Sequence, residues 1–176
     1  MVIENIADKK LEKLNIILRL KNISLDNIVF VKNCLIDKDI LVRSLAARVA
    51  GHFKIDELLP LLIDSLSTGG EKMSFPDSVA TFGGKILSML EEKLKSKTNI
   101  TFRKNMAFVL GKIEVEKSKK MLMVLVRDKS SKVRRVAIVQ LNRFLEKDKN
   151  KAFFRQLLNE EKDETVKFCI HKILKK

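Results

Sequence analysis

Residues able to do chemistry are few and scattered in this 176-residue sequence. His52 and His171 stand far apart, and neither belongs to the His-Glu pairs that build a di-metal centre. Cys34 and Cys169 have no second cysteine at metal spacing. Cys169 and His171 are two positions apart, which points them to different sides of a helix. Glu91-Glu92 and Glu160-Glu161 are adjacent, and adjacent positions on a helix do not face one another, so no paired-carboxylate acid and base is formed. Gly69-Gly70 lacks the following Lys-Ser/Thr of a phosphate-cradling loop. Catalysis needs convergent polar groups. None converge here, and a non-catalytic protein without metal, cofactor or small-molecule substrate is expected.

The chemistry that remains is positive charge. Lys and Arg total 36 against 22 acids, a net charge of +14. Residues 1–102 hold a net of +2 and residues 103–176 a net of +12. Such asymmetry within one domain suits an acidic partner for the second half. A compositional bias toward lysine would raise the charge everywhere, but would not concentrate it in one half. The placement is also informative. A cation in the first helical turn opposes the macrodipole by a few tenths to about 1 kcal/mol. Yet Lys117, Lys119 and Lys120 open one expected helix, Lys132, Arg134 and Arg135 the next, and Lys149 and Lys151 the one after. Local rules broken without structural return tend to mark function, and helix starts bearing Lys or Arg attract anions. Lys117, Lys119, Lys120, Arg127, Lys132, Arg135, Lys151 and Arg155 are therefore the candidate partner-binding residues. The alternative is that these lysines are simply solvated.

The elements that must position them follow from a repeat. Val42-Arg43, Phe75-Pro76, Phe102-Arg103, Val133-Arg134 and Val166-Lys167 share one register, at spacings of 33, 27, 31 and 33 residues. Each is followed by a small or apolar pair, such as Ala46-Ala47, Met106-Ala107 or Ala137-Ile138. Nine residues on come Gly51, Gly84, Gly111 and Asn142. A period near 30 implies stacked helical pairs, none able to bury its apolar face alone. Apolar spacing predicts helices over about 4–20, from Ser24 as N-cap, over 39–53, and over 57–66 with Asp56 as cap. Ser74 caps the next, and 74–95 is expected as one long helix bent at Gly83-Gly84. Thr98 or Asn99 opens 101–113; 116–126, 132–145, 151–158 and 164–174 complete the chain. The first pair, residues 1–36, lacks the shared motif and is expected as an N-terminal capping pair, with 37–174 in register.

The columns resemble the HEAT repeat family, particularly its short bacterial type. A loop Asp precedes a Val-Arg pair, then small residues, as in Asp39…Val42-Arg43…Ala46-Ala47…Gly51 and Asp128…Val133-Arg134…Ala137. The third repeat departs most, with Pro76 where Arg would stand. The resemblance implies an all-α, right-handed α-solenoid of about five HEAT-like pairs in a single domain over 1–176. It implies that second helices line a concave surface, where Lys119, Lys120, Met123, Arg127, Lys151, Arg155 and Gln156 would stand side by side. Arg43, Arg103 and Arg134 are expected to pair with loop acids of adjacent repeats. HEAT-like DNA glycosylases hold the damaged nucleotide with Trp, Tyr and Asp, and this sequence has no Trp or Tyr. The expected function is a monomeric, cytoplasmic scaffold binding an acidic protein through its basic concave surface; the alternative is sequence-nonspecific nucleic-acid binding by the same surface. Phe102, Phe108, Phe144, Phe153, Phe154 and Phe168 all fit core stripes, and both cysteines are expected as reduced, buried thiols. No apolar run is long enough to span a bilayer.

Overall fold

The computed structural model describes residues 6–68, 75–96, 98–144 and 147–175, and these contain helices and turns without a strand. The chain forms two compact units, Met1–Ile86 and Leu87–Lys176. The first holds α1 (Ile6–Ile17), α2 (Leu25–Leu35), α3 (Ile40–His52), α4 (Leu59–Ser65) and α5 (Phe75–Ala80), with single 3-10 turns at Asp56–Leu58 and Gly83–Ile86. The second holds α6 (Leu87–Lys95), α7 (Ile100–Lys112), α8 (Glu116–Leu125), α9 (Ser131–Phe144), α10 (Lys147–Glu160) and α11 (Glu164–Leu174). In the first unit α3 packs on α1, α2 and α5; in the second α9 packs on α7, α8 and α11. Within each unit, helices at the motif positions thus stack on one another, α3 on α5 in the first and α7, α9 and α11 in the second, with the intervening helices beside them.

Helix starts follow local chemistry. Ser24, Asp39, Asn99 and Asp163 are extended N-caps, each accepting a backbone N–H from the first turn. Asp163 also accepts from the hydroxyls of Thr165 and Ser131, and these donors hold its pKa down to about 2. The small-residue columns permit close approach. A Cβ on Gly51 would lie 2.9 Å from Cα and O of Ser78, and one on Gly111 would lie 2.1 Å from Oε1 of Gln140. Each glycine therefore lets the next motif helix sit closer than any other residue would.

The arginine column closes the stack. The Arg103 guanidinium donates from Nη1 to the Thr98 carbonyl at 2.6 Å, and from Nε and Nη2 to both oxygens of Asp128 at 2.6 and 3.1 Å. Arg134 repeats this one period later. Its Nη1 donates to the Asp128 carbonyl at 2.9 Å, and Nε and Nη2 to Glu161 at 2.7 and 2.6 Å. Each arginine ties the loop before its own helix to the loop before the next. The Arg134 guanidinium holds the Glu161 carboxyl below its ordinary pKa, helped by the Asp163 and Lys162 N–H groups. Arg43 likewise donates to the Asp37 and Lys38 carbonyls, at 2.7 and 2.9 Å. The expected pairing with a loop acid of the next repeat is seen for Arg103 and Arg134, whereas these two bonds of Arg43 go to carbonyls of its own loop.

Several sequence expectations need correction. The first pair lacks the apolar and small members of the motif, but a cation keeps the place of the arginine: Lys10 stands one period before Arg43 and pairs with Asp37, which lowers the Asp37 pKa. Residues 75–95 are not one bent helix. The chain leaves α5 at Ala80, where Thr81 Oγ1 donates to Ser78 O at 2.7 Å, and Gly83 adopts φ +59°, which an α-helix cannot contain. Gly84 drops out of the close-approach column, since a Cβ there would meet nothing within 4 Å. Asp56 opens a 3-10 turn rather than capping a helix; α4 starts at Leu59, with Pro60 in its first turn. Ser74 lies outside the described residues. Cys34 is a buried free thiol, but Cys169 is only partly covered; burial raises the pKa of each. Phe102 and Phe154 are buried as expected, Phe108, Phe144 and Phe153 are half-buried, and Phe168 is 61% exposed.

Candidate partner-binding surface

Four of the candidate cations lie along α8 or just after it. Its buried face is Ser118, Met121, Leu122 and Leu125. Its exposed face runs Lys117, Lys120, Met123, Val124 and Arg127, at helical three- and four-residue spacing, with Lys119 half-buried beside it. The start of α8 is fixed by the buried Ser118 hydroxyl, which donates to the carbonyls of Ile113 and Val115. That anchoring sets Lys117 and Lys119 in the first turn.

Neither lysine is left uncompensated there. Lys117 Nζ is 2.9 Å from Glu91 of α6, and this contact lowers the Glu91 pKa. Lys119 Nζ is 3.7 Å from Glu116, an acid in the same first turn. The positive charge at this helix start has a local structural return, contrary to the sequence argument. Arg127 has a partner as well: Nη2 is 3.6 Å from Glu160, and its guanidinium lies 6.0 Å from the Phe153 ring centre. Through Arg127 the ends of α8 and α10 meet, bounding a shallow cleft of about 310 Å³ lined by Arg127, Arg134, Leu157, Glu160, Glu161 and Lys162. Its Arg127, Arg134, Glu160 and Glu161 side chains are engaged with one another.

On α10 the exposed stripe is Ala152, Arg155, Gln156, Asn159 and Glu160, with Lys151 half-buried. This helix begins at Lys147, so Lys151 stands beyond the first turn and the dipole argument does not apply to it. Lys120, Lys151 and Arg155 form no ion pair among the described residues. Lys132 and Arg135 are elsewhere: both are exposed on α9, in the motif-helix layer rather than with α8 and α10. The structure thus divides the eight candidates between two layers, which the sequence argument merged into one surface.

The exposed pair Met123 and Val124, at 39% and 61%, was not singled out as a site feature in the sequence beyond Met123 itself. The visible signal is an apolar pair at two consecutive α8 positions, one of which must face outward. Among the described residues, no group of three or more His, Cys, Asp or Glu could hold a metal ion. No described helix is long and apolar enough to cross a membrane. The family model of HEAT repeats matches residues 87–170, a span that begins where the second compact unit begins. No curated protein and no solved structure matches the chain.

Proposed function

We propose that the chain, whose residues 87–170 match the family model of HEAT repeats, is a non-catalytic scaffold that holds an acidic segment of another protein on the surface of α8 and α10. HEAT repeats generally mediate protein–protein interactions. The observation that carries the specific reading is the composition of the α8 face: exposed Met123 and Val124 flanked by Lys120 and Arg127. An apolar centre with a cationic rim matches a segment that alternates acidic and apolar residues, because the rim steers and the centre adds desolvated contact. Lys151 and Arg155 on α10 extend the rim.

A phosphate backbone suits this surface less well. It has no apolar side chains to cover the exposed Met123 and Val124, and Lys117, Lys119 and Arg127 are already paired with Glu91, Glu116 and Glu160, which leaves few cations for a continuous run of phosphates. Selection from a displayed random-peptide library, followed by calorimetry on the enriched sequences, tests the reading. Acidic peptides with apolar residues should emerge, and Lys120→Glu with Arg155→Glu should weaken them at least tenfold. Enrichment of basic peptides, or affinities unmoved by that double variant, would refute it.

A further inference from the structure

The motif-helix layer carries a second surface of different character. On α9 the exposed residues Lys132, Arg135, Val139 and Arg143 form one stripe, opposite the buried Val133, Val136, Ala137, Ile138 and Leu141. On α11 the corresponding stripe is Phe168 and Lys172, one 33-residue period after Arg135 and Val139, opposite the buried Val166 and Ile170. The two helices pack together. Arg135 and Lys172 both lie near enough to the Cys169 thiol to oppose the upward pull of burial on its pKa. The stripes are therefore neighbours.

Two independent features distinguish this face from that of α8 and α10. The first is charge. Helix α9 contains no acid, and α11 contains only Glu164, which Lys167 engages at 2.8 Å. Lys132 and Arg135 have no ion-pair partner among the described residues. Like charges gathered without counter-charge repel one another, and a polyanion relieves that repulsion. The second is Phe168. It is 61% exposed, with the Lys172 ammonium 4.5 Å from its ring centre. A flat ring presented among cations is the combination that holds single strands: cations track the phosphates while an unpaired base stacks on the ring. A duplex offers no unstacked base.

We propose that the outward face of α9 and α11 binds single-stranded nucleic acid without sequence preference, with Lys132, Arg135, Arg143 and Lys172 on the phosphates and Phe168 under a base. This surface is separate from the α8 and α10 surface, and either reading can fail without the other. The test is fluorescence anisotropy of the full chain with a labelled thymidine homopolymer, a duplex of equal length, and polyglutamate as an acidic-polypeptide probe. The homopolymer should bind most tightly and weaken steeply between about 50 and about 200 mM salt. Phe168→Ala should cost roughly tenfold on the homopolymer and leave the duplex unaffected. Lys132→Glu with Arg135→Glu should abolish homopolymer binding, while Lys120→Glu with Arg155→Glu should not change it. Both altered side chains of the first pair are exposed, and circular dichroism should show unchanged helix content. Equal affinity for the duplex, tighter binding of polyglutamate, indifference to Phe168→Ala, or no homopolymer binding at low salt would each overturn the proposal.

Discussion

Glu161 and Glu160 are chain neighbours with the same side chain and opposite surroundings, and Glu→Gln at each isolates the value of the arginine column. Glu161 is 3% exposed at its side chain and accepts both forks of Arg134, which is itself 18% exposed. Its Oε1 also accepts the N–H groups of Lys162 and Asp163, at 2.9 and 2.8 Å. A glutamine there can present one carbonyl oxygen to these donors, but its amide NH₂ then faces an Arg134 N–H, donor against donor. Arg134 loses its counter-charge in a poorly solvated site. Removing one partner of a buried pair costs about 3–5 kcal/mol, and the lower end, about 3, applies where the arginine keeps some water. Glu160 is 47% exposed and 3.6 Å from an equally exposed Arg127, a contact of the kind worth under about 1 kcal/mol. Native-state hydrogen exchange reads the difference locally. For Glu161→Gln, amides of α9 and α11 should lose roughly two orders of magnitude of protection, since about 1.4 kcal/mol is tenfold. For Glu160→Gln the loss should stay within about fivefold, and amides of α1 to α4 should not respond to either. Similar small effects at both positions would refute the assignment of the column as what holds successive loops together.

Other expectations follow the same geometry. Gly51→Ala and Gly111→Ala should each cost about 1–3 kcal/mol by overpacking, whereas Gly84→Ala, facing open space, should be neutral or slightly stabilising; thermal melts of the three variants decide it. Stability should fall with acidification in a defined window. Asp37, Glu161 and Asp163 all have depressed pKa values when folded, so the unfolded chain binds more protons as the pH drops. Their contribution is fully present above the unfolded carboxylate values near about 4, and for Asp163 is lost only as pH approaches about 2. Melting temperature against pH should show this slope, and Asp163→Asn should flatten its lowest part. Lys10→Ala should destabilise the first unit by stranding the Asp37 carboxylate, which is 9% exposed, and Lys10→Arg should restore it.

Much of the architecture was legible because each signal acts locally. Asp39, Asn99 and Asp163 cap helices through bonds to residues two or three positions away, and α11 begins and ends where its apolar spacing says. The arginine pairings were legible because the period brings each loop to its neighbour. Lys10 escaped notice since Lys9-Lys10 shares neither the apolar nor the small members of the column; only its distance to Asp37 marks it. The break after α5 was missed because the same Gly-Gly pair allows a kinked helix or a left-handed residue. At the surface, charge was legible and its compensation was not. Lys117 reads as an exposed cation until α6 is packed beside α8 and supplies Glu91. Phe168 has the spacing of a core residue, but its column position on α9 belongs to Arg135, which faces water.

Arg103 reaches an aspartate 25 residues on, and Arg134 reaches a glutamate 27 residues on, with the same forked bond. The pairing therefore specifies where the following loop must sit, but not how much chain is spent getting there. Length changes can be absorbed in α8, α10 and their turns while the motif helices stay in step. Residues added or lost on that side would reshape the proposed docking surface at little risk to folding, because Arg103, Arg134 and the close approach at Gly111 hold the motif helices of the second unit in step.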